Sequence, residues 1–199
     1  MKTFDELSKY LMNGIEAKKQ EGADEQALIQ WLGDLFTNFD SASRFTVCQM
    51  LLRNGYKHLC PEPDVLYHVG FQMGLESGME TLVVYPNRGC LYLHNSGSTI
   101  QMKPLSDEED TFKINPSIDY VYKIIAGLPF KELRCCAAPI QELDVGTMRI
   151  NFATGQGLLY YDEIIIEKAK ESPTGIFYNL ASDILKKLVQ IQIKKNQQQ

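Results

Sequence analysis

The sequence predicts an α+β fold in which an N-terminal helical layer packs on a mainly antiparallel sheet, with a C-terminal amphipathic helix. Three observations carry this expectation. Apolar residues recur at helical spacing through roughly the first 78 positions. At Met79 the period falls to two, with turn residues between the apolar runs. Strands then outnumber the long crossovers that a parallel sheet needs. The 199 residues are expected to form a single domain, with 1–78 its mostly helical part and 79–199 its sheet-containing part.

Thr3 and Glu6 make a capping box, and Phe4, Leu7, Leu11 and Ile15 follow at helical spacing as far as Gly22. Asp24 caps a second helix whose apolar stripe is the widest in the chain, with burial expected along Leu28, Trp31, Leu32, Leu35 and Phe36. After Asp40-Ser41, the residues Phe45, Cys48, Leu51 and Leu52 mark a third helix that stops at Asn54-Gly55. Pro61 and Pro63 lead into a fourth, carrying Val65, Leu66, Val69 and Met73 beside Gly70, Gly74 and Gly78.

The run TLVVYPNRGCLYLHNSGSTIQM reads as a meander of three strands, split at Pro86–Gly89 and at Asn95–Gly97. The acidic SDEED at 106–110 is a solvated loop, and Asn115-Pro116 opens a helix that ends at Gly127. Phe130–Ala138 is expected as a strand. Met148, Ile150 and Phe152 alternate with Arg149, Asn151 and Ala153 in a half-buried one, and Gly155-Gln156-Gly157 turns the chain back. Over 158–170 strand and helix both stand, because LLYYDEIII is β-rich while EIIIEKAKE can open a helix. The last helix sets Phe177, Leu180, Ile184, Leu188 and Ile191 on one face.

Gly70, Gly74 and Gly78 fall four apart, which on a helix clears one face for a close contact. The leading reading is packing against another part of this chain. A homodimer seam and a flat ligand lying on the bare backbone are the alternatives.

Thiols and imidazoles supply the other candidates. His58, Cys60 and His68 lie within eleven residues, and Cys90 and His94 would share a strand face, but their spacing lacks the paired ligands of a zinc site. Cys135-Cys136 is a vicinal pair in which one thiol of a strand can face outward, making these two the candidate reactive thiols. No GxSxG, HExxH, P-loop, GxGxxG or EF-hand pattern occurs. No metal or cofactor is expected.

Over residues 65 to 153, the order of a glycine-spaced helix, a β-hairpin, a further helix and a cysteine-bearing strand leading into another strand resembles the element order of the vinyl-reductase-type small-ligand-binding domains. That resemblance is one of element order and assigns no site residue.

Hydrophobic residues at 44% and charged residues at 23% fit an ordinary folded core. A formal charge of -5 with scattered lysines and arginines argues against phosphate-backbone binding, so no nucleic-acid partner is expected. The charged N-terminal MKTFDELSKY lacks an apolar signal core, and the odd count of five cysteines fits reduced thiols; together they point to a cytoplasmic protein with no membrane partner. With ten tyrosines and no strong catalytic constellation, the function expected is a non-catalytic protein-binding factor: an adaptor, inhibitor or immunity-type protein. A small-molecule sensor with an apolar pocket between the Gly70/Gly74/Gly78 helix and the meander is the alternative, and a thiol-dependent enzyme the third.

Overall fold

Three helices and a 3₁₀ turn precede the sheet in the computed structural model, which describes residues 4–102, 114–128, 134–135, 143–169 and 174–197. They are α1 (Phe4–Gln20), α2 (Glu25–Phe36), α3 (Ser41–Arg53) and the turn Lys57–Leu59. The chain forms two compact units, Met1–Tyr67 with Thr154–Gly157, and His68–Ala153 with Leu158–Gln199.

In the first unit the helix starts are fixed as the sequence implies. The Asp24 carboxylate accepts from the Ala27 N–H at 2.8 Å, and Asp40 accepts from Ser43 N–H at 2.7 Å, a bond that holds the Asp40 carboxyl below its ordinary range. Thr3 of the expected capping box lies outside the described residues. Leu11, Ile15, Leu28, Leu32, Phe36, Val47, Met50, Leu51 and Leu59 form the core. Trp31 and Leu35, expected in that core, are only partly buried. Leu28, Leu32 and Phe36 repeat every four residues along the inward line of α2, which leaves Trp31 and Leu35 on its flank. Trp31 lays its ring over Gly14, with Lys18 Nζ 5.6 Å from the ring centroid.

The second unit holds the sheet. Among the described residues its strands are β1 (Leu66–Leu75), β2 (Gly78–Val84), β3 (Cys90–Leu93), β4 (Thr99–Met102), β5 (Arg134–Cys135), β6 (Thr147–Thr154) and β7 (Gly157–Ile165). They form one sheet in the order β4-β3-β2-β1-β6-β7-β5, with β1/β2, β2/β3, β3/β4 and β5/β7 antiparallel. The helices are α4 (Asn115–Ile125), the short α5 (Ile166–Ala169) and α6 (Gly175–Gln197). Val69, Phe71, Leu82, Val84, Cys90, Met148, Ile150 and Phe152 line one sheet face, buried with Ile118, Val121, Phe177, Ile184 and Leu188 of the helices. The Phe71 and Phe177 rings are 6.5 Å apart, and Tyr122 donates to the Val84 carbonyl at 2.8 Å. Asp183 on α6 accepts from Ser117 of α4 and, at 2.6 Å, from Lys187.

One expected helix is a strand. Residues 66–75 form β1, so the helical part ends at Leu59 and the sheet begins before Met79. Tyr67, Val69, Phe71 and Met73 are apolar and buried, while His68, Gly70, Gln72 and Gly74 alternate with them. That is period two. A spacing of four is a multiple of two as well as one helical turn, so the glycines alone could not separate the cases, and glycine is a poor helix former. The element order that resembled the vinyl-reductase-type domains therefore fails at its first element.

Two smaller expectations are refined. The β6 strand is buried on both faces at Asn151 and Ala153, rather than half-buried. The ambiguous 158–170 stretch is strand to Ile165 and helix from Ile166 to Ala169. The SDEED loop and most of Phe130–Ala138 lie outside the described residues.

His68 gives the second unit a pH dependence. Burial lowers its pKa to about 4, with its ring edge-on to Tyr85 at 5.6 Å. The imidazole is neutral when folded, so the unfolded chain takes up its proton first. Stability that is full above about pH 6.5 is lost as pH falls toward 4, by about 2 kcal/mol at pH 5. Urea unfolding at pH 7 and pH 5 should show that loss in the wild type and a smaller one in His68→Phe. Equal losses in both would remove His68 as the cause.

Candidate functional site

The three glycines do not make one contact face. Gly70 and Gly74 lie on β1, where they oppose Val83 and Met79 of β2, and Gly78 is the first residue of β2. Because β1 is hydrogen-bonded to β2, no pocket can lie between this segment and the meander. A Cβ at Gly70 would meet only the Asn151 Cβ, at 3.9 Å. At Gly74 the backbone of Leu143 and Asp144 crosses so closely that a Cβ would collide with the Asp144 carbonyl oxygen and stand 2.8 Å from that of Leu143. Backbone therefore crosses closely at Gly74, whereas Gly78 is a turn residue at φ 124° whose added Cβ would press on the Asn95 side chain, 3.3 Å from its Cβ.

The sequence's thiol and imidazole candidates are dispersed. Cys135 ends β5 opposite Leu159, and Cys136 lies outside the described residues. Cys90 points into the core, where burial pushes its thiol up to about 12. His58 is exposed on the 3₁₀ turn. His94 turns to oxygen partners instead of Cys90: its Nε2 is 3.2 Å from Glu80 Oε1, and its Nδ1 is 2.7 Å from Ser96 Oγ.

Glu80, His94 and Ser96 thus stand in the order of an acid–base–nucleophile relay. Local chemistry accounts for the arrangement more fully. The Ser96 N–H also donates to His94 Nδ1 at 3.1 Å, Ser96 Oγ pairs with Ser98 Oγ at 2.6 Å, and the Gly97 N–H donates to the His94 carbonyl at 2.9 Å. The imidazole braces the β3–β4 turn, and the Ser96 and Gly97 amides that could stabilise an oxyanion are already committed.

A cluster that no motif announced lies in the first unit. Cys48 on α3 and Cys60, just after the 3₁₀ turn, bring their sulfurs to 3.2 Å, and Cys48 Sγ is 3.6 Å from the Tyr67 hydroxyl. Tyr67 donates to Glu62 Oε2 at 2.9 Å, and Arg44 meets Glu62 Oε1 at 3.1 Å while its Nε donates to the Phe39 carbonyl. Burial, then the bonds to Cys48 and Glu62, raise the Tyr67 hydroxyl. The available signal was the Asn54-Gly55 turn lying between two cysteines twelve positions apart.

The sequence matches no protein-family model, no curated protein and no solved structure. Among the described residues no helix is long and apolar enough to cross a membrane, and no group of three or more His, Cys, Asp and Glu side chains could hold a metal ion.

The sheet face away from α4 and α6 has a different character from the packed one. On β2 and β3 it carries Met79, Thr81, Val83, Leu91 and Leu93, with Val83 directly opposite Leu91 and Thr81 opposite Leu93. Leu93 is 38% exposed, the other four are half-buried, and Thr99 and Gln101 of β4 are exposed beside them.

Proposed function

We propose that this protein works by binding another protein, as an adaptor, inhibitor or immunity-type factor, through the β2–β4 face that carries Met79, Val83, Leu91 and Leu93. The observation that supports the reading is the apolar make-up of this face. A solvated face of an antiparallel sheet ordinarily alternates to polar residues, whereas here four of the five positions on β2 and β3 are apolar and incompletely covered. Such a patch with Thr99 and Gln101 at its margin fits an apolar centre with a polar rim.

Affinity capture from the native host, with the wild type and with Val83→Glu/Leu93→Glu side by side, tests it. A partner held by the wild type should be weakened by ~10-fold or more in the double variant, the scale of losing a central apolar anchor. Circular dichroism should match between the two chains. A folded variant that retains the partner at wild-type affinity, or a wild type that captures nothing above an unrelated control, counts against this reading.

A further inference from the structure

We propose that Cys48 and Cys60 form a dithiol site which a hydroperoxide oxidises to an intramolecular disulfide, reversibly and without unfolding the first unit.

The geometry is that of two sulfurs held in register by different elements. Cys48 is fixed on α3 between the buried Val47 and Met50, and Cys60 follows the 3₁₀ turn whose Leu59 is itself in the core. At 3.2 Å the sulfurs need to close by only about 1 Å to reach the S–S bond length. Cys60 is 6% exposed and Cys48 1%, so Cys60 is the less enclosed residue of the pair and the one assigned the first attack. Charge favours the same order. Either sulfur can donate in this contact; the contact with Cys48 lowers the Cys60 thiol against the opposing effect of burial, while the same contact and burial raise that of Cys48.

Both steps balance. The Cys60 thiolate attacks one oxygen of the hydroperoxide, the O–O bond breaks, and Cys60 becomes a sulfenic acid as the leaving oxygen takes a proton to give water or an alcohol. Cys48 then loses its proton and attacks the sulfenic sulfur; the S–S bond forms, and the hydroxyl departs with that proton as water. Two thiols are oxidised, and one peroxide bond is reduced. Oxidation orphans no buried polar group, because the Tyr67 hydroxyl keeps its bond to Glu62 and Arg44 still meets the Glu62 charge. Cys90 offers a contrast within the same chain, a buried thiol that burial alone pushes to about 12.

The test uses the full chain, reduced and then exposed to hydrogen peroxide under native conditions. Intact mass should fall by two hydrogens, dithiothreitol should restore it, and a peptide map should join the Cys48 and Cys60 peptides. Cys90→Ser should leave the link intact, and Cys60→Ser should abolish it. The wild-type map stands alone if Cys60→Ser does not fold. A link that joins any other pair of cysteines, a gain of oxygen without the loss of two hydrogens, or an unchanged mass would each overturn the proposal.

Discussion

Gly155→Ala is expected to destabilise the first unit by about 3 kcal/mol, at the upper end of what overpacking costs. A Cβ at this position would collide with the Glu62 carbonyl oxygen and come within 2.7 Å of its carbon and 2.8 Å of the Pro63 Cα. These are backbone atoms, so no rotamer change relieves the clash. Neither partner can readily retreat. Gln156, next in the turn, donates to Asp64 at 2.8 Å, and Glu62 is tied to Arg44 and Tyr67. Gly33→Ala is the internal control, because a Cβ there would meet only the Pro61 Cβ at 3.9 Å, and removing a glycine from within α2 should add up to ~1 kcal/mol. Urea unfolding of both variants should give shifts of opposite sign. A wild-type midpoint for Gly155→Ala would mean that the turn does not lie against Glu62 and Pro63 in solution.

Local signals made most of the fold legible. Asp24 and Asp40 announce helix starts through carboxylates that accept first-turn N–H groups, and Asn115-Pro116 through a proline whose fixed φ and missing N–H suit the first turn; α2, α3 and α4 start where those residues put them. The β2–β3–β4 meander follows from turn residues at Pro86–Gly89 and Asn95–Gly97, whose chemistry acts over four or five positions. The error at 66–75 had a definite cause. Three glycines at a spacing of four suit a helix turn and a strand face alike, whereas Tyr67, Val69, Phe71 and Met73 alternate as a strand requires. Burial of Asn151 and Ala153 on the second face of β6 was illegible for a different reason, since neither a polar Asn nor a small Ala on a strand reveals what will be laid over it.

The candidate sites divide along the same line. Cys48 and Cys60 belong to different elements, so their meeting is a tertiary fact that no short motif encodes, whereas the vicinal Cys135-Cys136 is visible as a pair in the sequence itself. The Glu80–His94 pair likewise joins β2 to the end of β3 across the ladder. The apolar β2–β3 face is legible in the sequence. Val83, Leu91 and Leu93 sit at the positions where strict alternation calls for polar residues, and that breach of the period was visible in the string itself.

Gly74→Ala is expected to cost the second unit about 3 kcal/mol, while Gly70→Ala, four residues earlier on the same face of the same strand, should change stability by less than about 1 kcal/mol. The difference lies in what crosses the strand. The Gly74 carbonyl accepts from Gly146 N–H at 2.9 Å, which draws the 143–146 segment over β1 and brings the backbone of Leu143 and Asp144 onto the missing side chain. At Gly70 the nearest atom is the Asn151 Cβ, at an ordinary contact distance of 3.9 Å. Gly78 would also resist substitution, chiefly from backbone conformation and with a Cβ pressed to 3.3 Å from that of Asn95: φ 124° lies well outside the left-handed helical region that Asn tolerates, so Asn should recover little of the loss there. Three glycines that look equivalent in sequence are therefore expected to give three different responses. Urea midpoints for Gly70→Ala, Gly74→Ala, Gly78→Ala and Gly78→Asn separate them. Equal losses at Gly70 and Gly74 would restore a continuous contact face, and a stable Gly74→Ala would show that the 143–144 backbone does not cross β1 in solution.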